Sequence, residues 1–315
     1  MKSICLITCY MGPLPDYFSY YVATCRKNDS IRFIVINDTI PTSYTDHNIR
    51  FIKLSTAELN QLASEKTRQP IRLASSWKIN ELKPLFGIIF EEQIGDSDFW
   101  GWCDLDIIWG NLRNFLTEKL LTDYDVITTR ELWTTGHFTL LRNSPYHNTL
   151  YTKNETVIEL LNNPTYFAFE ECCHRWNGEV IPLEELRRQN LPVSMFDIIK
   201  NEEAAGRLRA YFKKIVREHP DLINFVYKNG VLTDLSDNQE FMYYHLITVK
   251  KIWRFYIPSY ENVDDGLIMT PYGIRSAGEN KLMWGLKRAY SCYRGIVKSV
   301  KKQGPGELAK KLVRR

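Results

Sequence analysis

Apolar and polar residues alternate in blocks along the first part of the chain. Residues 3–10 and 31–36 are apolar runs typical of strands buried on both faces, and residues 16–27 between them have the pattern of a helix. Residues 49–54 predict a third, short strand. Alternation of this kind predicts an α/β fold with a parallel sheet covered by helices, in which ligands bind beyond the carboxyl ends of the strands.

The blocks continue to about Pro258. They predict helices at residues 56–67, 77–92 and 156–161 and strands at residues 98–103, 124–129 and 136–142. Beyond Pro258 the pattern changes to a glycine-containing connection followed by a basic helix. We therefore predict a main domain at residues 1–258 and a C-terminal extension at residues 259–315.

The composition is that of a globular protein, with 44% hydrophobic and 25% charged residues among 315. No apolar run approaches the roughly 18 residues of a membrane-spanning helix. The apolar run at the N-terminus is too short for a signal peptide. The seven cysteines lack the paired spacing of a zinc site or a disulfide framework. We expect a cytoplasmic protein with reduced thiols.

Positive charge is concentrated in the tail. The chain carries 41 Lys and Arg against 37 Asp and Glu, a net charge of +4. Residues 281–315 contain eleven basic residues and one acid, a net charge of +10, which leaves −6 for residues 1–280. A nucleic-acid-binding face on the main domain is therefore not expected.

Two acids, Asp104 and Asp106, follow the aromatic strand at residues 98–103. Side chains alternate along a strand, so two acids separated by one residue share a face and can address one cation. Carboxylate oxygens suit Mg²⁺ or Mn²⁺, and such an ion neutralises a diphosphate. The alternative is that both acids solvate a loop. Burial of the two charges would be costly unless they were paired or bound to a metal.

His245 offers a third ligand, and it shortly precedes Lys250 and Lys251. An imidazole binds divalent cations, and ammonium groups suit phosphate oxygens. A lone histidine is, however, more often a structural residue of the core or surface. Both interpretations stay open at this point.

Several segments, in this order, resemble those of GT-A glycosyltransferases, in particular an uncharacterised family found in bacterial capsule and O-antigen gene clusters. They are residues 7–12, 15–18, 77–84, 99–106, 129–130, 136–143, 167–171 and the segment around His245. The resemblance covers about residues 3–255. It implies a GT-A fold, which is a Rossmann-like fold with a mixed central sheet that binds nucleotide-diphospho-sugars, and it makes residues 1–258 the catalytic domain.

The resemblance also implies roles for single residues. Asp106 and His245 would bind the metal ion, Mn²⁺ or Mg²⁺, and Asp104 would contact the metal or the donor ribose. The implied contacts of the nucleotide-sugar donor are Thr8, Tyr10, Asp38, Lys83, Asp104 and Lys250. The implied acceptor contacts are Gly136, His137 and Phe138. Glu81 and Glu170 depart from the family pattern, which has Asp there, but they keep the carboxylate.

Glu170 and Glu171 are the candidates for the catalytic base on the acceptor side. An inverting transferase needs one carboxylate near the acceptor hydroxyl, and a neighbouring acid raises its pKa toward a useful range. The pair is equally explained as partners of a helix N-terminus or as a solvated face. We slightly favour an inverting mechanism; the alternative is a retaining mechanism, which would need no such base. Candidate platforms for sugar rings, most of them expected in the core, are Trp100, Trp102, Trp109, Trp133 and Tyr166.

The expected function is transfer of a sugar from a nucleotide sugar, with UDP-galactose favoured, to a growing, lipid-linked bacterial surface polysaccharide. In residues 282–300, apolar residues recur at helical steps and basic residues fill much of the remainder. This is typical of a helix lying on an anionic membrane, here the inner face of the plasma membrane. The alternative is a helix docked on the main domain. The rival functions are a metal-dependent hydrolase or phosphotransferase and an inactive carbohydrate-binding protein.

Overall fold

The computed structural model of the protein describes residues 1–218, 224–252, 255–258 and 266–303, and side chains up to residue 294. The strands are β1 Ile4–Cys9, β2 Ile31–Asn37, β3 Tyr44–Asp46, β4 Ile49–Lys53, β5 Phe99–Cys103, β6 Ile107–Trp109, β7 Val126–Thr128, β8 Phe138–Arg142, β9 Ala210–Phe212, β10 Val216–Arg217, β11 Phe225–Lys228, β12 Val231–Asp234, β13 Tyr243–His245, β14 Leu267–Thr270 and β15 Gly273–Ser276. The α-helices are α1 Phe18–Arg26, α2 Thr56–Thr67, α3 Ile79–Leu82, α4 Phe86–Ile89, α5 Glu91–Ile94, α6 Leu112–Phe115, α7 Glu118–Asp123, α8 Pro145–Asn148, α9 Val157–Asn162, α10 Leu183–Arg188, α11 Met195–Ala204 and α12 Lys281–Gln303.

The central sheet has eight strands in the order β3-β4-β2-β1-β5-β8-β7-β9. β1 pairs in parallel with β2 and β5, whereas β8 pairs antiparallel with β5 and β7. Gly101 allows β5 and β8 to lie close together, because a Cβ atom there would meet the Thr139 carbonyl oxygen at 2.3 Å. The predicted fold class, α/β with a mixed central sheet, is confirmed.

Both faces of the central sheet are buried, which explains the continuous apolar runs of its strands. Along β1, Ile4 and Leu6 pack into one apolar cluster, and Cys5 and Ile7 pack into another on the opposite face. Full burial of an aliphatic side chain contributes about 1.5–3 kcal/mol. The strand is therefore fixed from both sides, and so is the position of the loop that follows it.

Two smaller sheets flank the central one. β10, β13 and β6 form the first, and β12, β11, β14 and β15 form the second. β6 follows β5 after residues 104–106 and pairs antiparallel with β13, so that Ile107 lies opposite His245. In the second sheet, β14 pairs with β11 across the predicted boundary at residue 258. That boundary stays a prediction.

The predicted helical stretch at residues 77–92 is a succession of short helices instead of a continuous one. Two 3₁₀ turns, Ser76–Lys78 and Lys83–Leu85, alternate with α3, α4 and α5. Pro84 lacks a backbone N–H, and buried Lys78 bonds outward to other segments, so no single helical axis is favoured. This irregular segment carries Lys83 into the interior.

The C-terminal helix is α12. Its first turns contact the β14–β15 hairpin, where the Trp284 indole donates to the Ile274 carbonyl oxygen at 2.8 Å. Side chains of the amphipathic pattern that lie outside the described residues are Ile296, Val297, Lys298, Val300, Lys301 and Lys302. Within the described part of the chain, the helices are too short or too polar to cross a lipid bilayer.

Candidate active site

The site lies in a cleft at the carboxyl ends of β1 and β5. The cleft has a volume of about 260 Å³ and is open to solvent. Its lining residues are Thr8, Cys9, Tyr10, Met11, Tyr17, Ser76, Trp77, Ile79, Asn80, Asp104, Leu105, Asp106 and Lys250. Ligands of α/β proteins bind at this edge of the sheet.

Asp104, Asp106 and His245 meet at the floor of the cleft. One ligand atom from each residue lies within 4.8 Å of the other two. The Nε2 atom of His245 is 3.3 Å from Asp106 Oδ1 and 3.8 Å from Asp104 Oδ2. The pairing of β13 with β6 explains this contact, because it places His245 beside the residue that follows Asp106. The structure thus brings together the three residues predicted as metal ligands.

Two lysines pair with the acids of this group. Lys83 Nζ is 2.5 Å from Asp104 Oδ1 and also donates to the Gly136 carbonyl oxygen at 2.8 Å. Lys250 Nζ is 2.5 Å from Asp106 Oδ2. The two ammonium groups therefore balance the two carboxylates. Lys250 lines the cleft, whereas Lys83 is buried behind Asp104 and is 2% exposed.

The protonation states of Asp106 and His245 are set by each other. Burial alone would raise the pKa of the Asp106 carboxyl, but His245 and Lys250 together hold this pKa well below its usual range. Burial lowers the pKa of His245, and the charges of Asp106 and Asp104 outweigh it, so the pKa is raised. Neither ring nitrogen of His245 makes a hydrogen bond of normal geometry with the described residues. Because buried polar atoms ordinarily have partners, this ring is suited to a cation.

Glu170 and Glu171 lie in a turn between α9 and α10. This turn contacts Gly136, whose carbonyl oxygen accepts from Lys83. Glu171 Oε1 accepts from the Gly136 backbone N–H at 2.9 Å, and the Tyr166 hydroxyl donates to Glu170 Oε1. Burial, and then the charge of Glu171, raises the pKa of Glu170 to about 8. Burial also raises the pKa of Glu171. Glu170 is 1% exposed, so it does not belong to a solvated face.

A buried ion pair holds the start of this turn. Lys78 and Glu81 form a salt bridge in which both side chains are fully buried. Lys78 Nζ donates to the carbonyl oxygens of Leu160 and Thr165 at 2.8 and 3.0 Å. Glu81 Oε1 accepts from the Phe167 N–H at 2.5 Å. Glu81 therefore supports the position of Glu170 and does not face the cleft.

The predicted nucleotide residues of the N-terminal segment fall in two places. Thr8 and Tyr10 line the cleft. The Thr8 hydroxyl is committed to the interior, where it bonds the Tyr21 hydroxyl at 2.7 Å. Asp38 accepts from the Gly12 N–H at 2.7 Å and is not among the residues that line the cleft. In this structure Asp38 therefore stabilises the backbone of the loop after β1 at Gly12.

Two of the predicted acceptor residues, His137 and Phe138, are buried. Phe138 is fully buried in β8 and packs on Tyr243, with 5.8 Å between ring centroids, so its ring has no surface to offer an acceptor here. His137 is 5% exposed. Its Nδ1 atom pairs with the Tyr243 hydroxyl at 2.7 Å, and its Nε2 atom is 3.0 Å from Glu218 Oε1. Gly136, through its backbone, is the member of this segment that joins the acids to Lys83.

Glu218 is a buried acid of the site that the sequence did not reveal. With His137 and His245 it forms a second compact group of potential ligand atoms. The imidazole rings of His137 and His245 lie 4.4 Å apart between centroids. Burial would raise the pKa of Glu218, but His137 and Arg130 lower it to about 2. Glu218 therefore carries a permanent charge directly behind the predicted metal ligands.

Comparison with known proteins assigns the chain to a family. Residues 6–274 match the family described as "Family of unknown function (DUF6625)". The chain belongs to that family. The matched residues include the acids of the cleft and His245. No curated protein matches the chain.

Solved structures similar to this DUF6625 chain are glycosyltransferases. The galactosyltransferase LgtC, in complex with donor and acceptor sugar analogs, is 13% identical with a TM-score of 0.31, over 52% of this chain and 66% of LgtC, just under two thirds of that protein. Mouse xyloside xylosyltransferase 1 is 10% identical with a TM-score of 0.40, over 77% and 97%. The glycosyltransferase GlyE of Streptococcus pneumoniae TIGR4 is 10% identical with a TM-score of 0.31, over 62% and 46%. At these TM-scores the likeness carries no argument about activity, which depends on the site.

The site of this DUF6625 member combines three kinds of group in one cleft. Hard oxygen and imidazole ligands converge at its floor, and ammonium groups lie beside them. The carboxyl of Glu171, whose pKa is raised by burial, accepts from the Gly136 N–H, and the Gly136 carbonyl oxygen accepts from Lys83. Together they can hold a divalent cation, neutralise a diphosphate and accept a proton.

Proposed function

We propose that the protein is a metal-dependent glycosyltransferase that moves a sugar from a nucleotide-sugar donor to a glycan acceptor. The observation that carries the proposal is the convergence of Asp104, Asp106 and His245 within 4.8 Å at the floor of a solvent-open cleft. Two acids from the short link between β5 and β6 and an imidazole from a distant strand form a set of ligands suited to one cation. Isolated buried carboxylates would be costly.

A divalent cation fits this group. Its ligands would be carboxylate oxygens of Asp104 and Asp106 and a ring nitrogen of His245, which lacks a hydrogen-bond partner of normal geometry among the described residues. Mn²⁺ and Mg²⁺ suit such ligands. When bound, the ion would neutralise the donor diphosphate and stabilise its charge as a leaving group.

Lys83 and Lys250 are the proposed diphosphate partners. In the structure they pair with Asp104 and Asp106, so their charges already lie at the floor of the cleft. A bound cation would take over the neutralisation of both acids, which frees the ammonium groups for phosphate oxygens. Lys250 also lies 5.8 Å above the centroid of the Tyr17 ring, which orients it toward the cleft lining.

For the acceptor, we propose an inverting reaction in which Glu170 or Glu171 removes the proton of the attacking hydroxyl. Glu170 has the pKa suited to a base near neutral pH, about 8. Glu171 is held by Gly136, the residue whose carbonyl oxygen binds Lys83. This link to Lys83 supports a position of the acids beside the proposed diphosphate partners. Glu170→Gln, described in the Discussion, chooses between the two acids.

UDP is the proposed nucleotide, with galactose as the favoured sugar and a lipid-linked polysaccharide as the acceptor. The proposal of a membrane-bound acceptor is supported by α12, whose exposed apolar residues are Leu282, Met283, Leu286, Tyr290 and Tyr293. Lys287 and Arg288 lie on the same helix, and such a helix can bind an anionic bilayer. Sedimentation with phosphatidylglycerol vesicles, compared with phosphatidylcholine vesicles, tests this contact. Binding that is unchanged by Leu286→Glu would contradict it.

The nucleotide is tested by the melting temperature of the full chain. A ligand that binds only the folded protein raises this temperature. We expect UDP with Mn²⁺ to raise it, and UDP in chelator to have little effect. Release of UDP from UDP-galactose without any glycan would instead favour the hydrolase alternative. A protein that binds glycans but neither UDP nor Mn²⁺ would be the inactive carbohydrate-binding alternative.

A further inference from the structure

A continuous row of aromatic rings leads out of the cleft. We refer to it as the aromatic row, and its members in spatial order are Trp77, Tyr166, His174, Trp176 and Trp133. Successive ring centroids are 6.4, 6.0, 6.1 and 5.2 Å apart. The five residues come from three separate segments of the chain, so the row is a product of the fold.

Two tryptophans of the aromatic row face water. Trp77, at its inner end, is 68% exposed, and Trp176, next to the outer end, is 43% exposed. Large aromatic side chains are usually buried, and Trp100, Trp102 and Trp109 are fully buried in this protein. A contiguous group of aromatic rings that includes exposed members is a candidate binding surface.

The inner end of the aromatic row belongs to the site already described. Trp77 lines the same cleft as Asp104 and Asp106. The Tyr166 hydroxyl donates to the carboxyl of Glu170, the candidate base. A molecule lying on the row would therefore present one end to the proposed reaction centre.

The turn that carries the row has an unusual backbone. Ala168, Cys173 and His174 all have left-handed conformations, with φ angles of 58°, 48° and 62°. Such angles are uncommon for residues other than glycine and cost free energy, so the surrounding contacts must hold them. The His174 ring nitrogen Nε2, 3.1 Å from the Tyr166 carbonyl oxygen, is one such contact. The rings are thus positioned in advance of any ligand.

We propose that the aromatic row is the acceptor platform, and that the acceptor is a glycan of more than one sugar residue whose pyranose rings stack along it. This inference rests on the proposed function and names its acceptor class. A pyranose has an apolar face of C–H groups and a rim of hydroxyls. The apolar face fits an aromatic ring, and the exposed polar residues Glu131, Asn177 and Glu179 flank the outer end of the row to receive hydroxyls. The row is one ring wide. This width suits a linear glycan better than a protein partner, because a protein interface covers roughly 800 Å² on each side.

Saturation-transfer NMR of the full chain with UDP and Mg²⁺ tests this platform; Mg²⁺ is used because it is diamagnetic and does not broaden the glycan signals. The probes are lactose, maltotriose and chitotriose, each with its methyl monosaccharide. We expect at least one oligosaccharide to receive saturation at its ring C–H protons, and to bind more tightly than its monosaccharide. Trp77→Ala and Trp176→Ala should each weaken this binding roughly three- to tenfold, the effect of losing one aromatic stacking contact.

The matched control is Tyr272→Ala. It removes a ring that is 58% exposed on the β14–β15 turn, outside the aromatic row, and should leave glycan binding unchanged. The proposal is overturned if no probe receives saturation, or if binding survives both tryptophan substitutions. It is also overturned if the row mediates dimers that Trp176→Ala disrupts. Absence of glycan binding in the wild type, with an intact melting-temperature response to UDP and Mn²⁺, refutes the platform alone, whereas glycan binding without that response refutes the proposed function.

Discussion

Replacement of Glu170 by Gln tests the electrostatic reasoning about the acceptor side without any knowledge of the substrate. The variant keeps the side-chain shape, and its amide oxygen can still accept from the Tyr166 hydroxyl. Burial and the neighbouring Glu171 raise the pKa of Glu170 from 4.5 to about 8 in the folded protein. At about 1.4 kcal/mol per pKa unit, ionisation of Glu170 costs the folded state up to roughly 5 kcal/mol.

The sign of the pH dependence follows from this pKa. Between about pH 4.5 and 8 the folded protein holds a proton at Glu170 that the unfolded chain has released. The stability of the wild type therefore falls by up to about 1.4 kcal/mol per pH unit as the pH rises through this window. Gln does not titrate, so Glu170→Gln escapes this loss. The melting temperature of the variant should rise relative to the wild type from about pH 5 to about pH 9.

The assay is thermal unfolding of both proteins across this pH range. Glu202→Gln is the matched control, because the hydrogen bond from Arg207 lowers the pKa of Glu202 to about 2. The stability that Glu202 provides is fully present above about pH 4.5, so the gap between this variant and the wild type should stay constant. Parallel curves for Glu170→Gln and the wild type would refute a proton held at Glu170. If Glu170 is the base, transfer should increase with pH around a midpoint near 8, and transfer that survives in Glu170→Gln would favour Glu171.

Two further substitutions test the surroundings of the metal group. Glu218→Gln removes the charge that lies 3.0 Å from His137, whose ring packs on His245. The affinity for Mn²⁺, measured by calorimetry with UDP, should fall about 10- to 100-fold. An unchanged affinity would contradict this supporting role. Lys250→Ala releases Asp106 from its ion pair. In this variant Mn²⁺ alone should bind more tightly, and UDP with Mn²⁺ should bind less tightly. Weaker binding of both would show that Lys250 acts only on the structure.

The central sheet could be predicted because strands that are buried on both faces appear in the sequence as continuous apolar runs. The apolar runs at residues 3–10, 31–36 and 49–54 form β1, β2 and β4 within one or two residues. α2 has the bounds predicted for it, residues 56–67, and Ser55 and Glu58 form a reciprocal capping box at its start. Local patterns of this kind depend on no distant partner.

The segment at residues 77–92 shows where such patterns reach their limit. Its composition is helical, but the fold of the segment depends on where the buried Lys78 and Glu81 find partners. Those partners are backbone groups about 80 residues away, including the Leu160 carbonyl oxygen and the Phe167 N–H. A periodicity of apolar residues contains no information about them.

Some residues of the candidate site carry a local signal in the sequence, and others do not. Asp104 and Asp106 could be predicted because their spacing at the end of a strand is itself a signal. His245 was recognised only through the resemblance and its neighbouring lysines. Glu218 carries no local signal, because its role arises from contacts with His137 and Arg130, which lie about 80 residues before it.

The central claim is that one divalent cation is held by Asp104, Asp106 and His245, and the most direct test is calorimetric titration of the full chain with Mn²⁺ at saturating UDP. We predict one equivalent bound, and a loss of affinity of about a hundredfold or more in Asp106→Asn and in His245→Gln. Asp98→Asn, a substitution of a more exposed acid just before β5, is the control and should bind as the wild type does. Absence of Mn²⁺ binding in the wild type, or unchanged affinity in the folded Asp106 and His245 variants, would contradict the account.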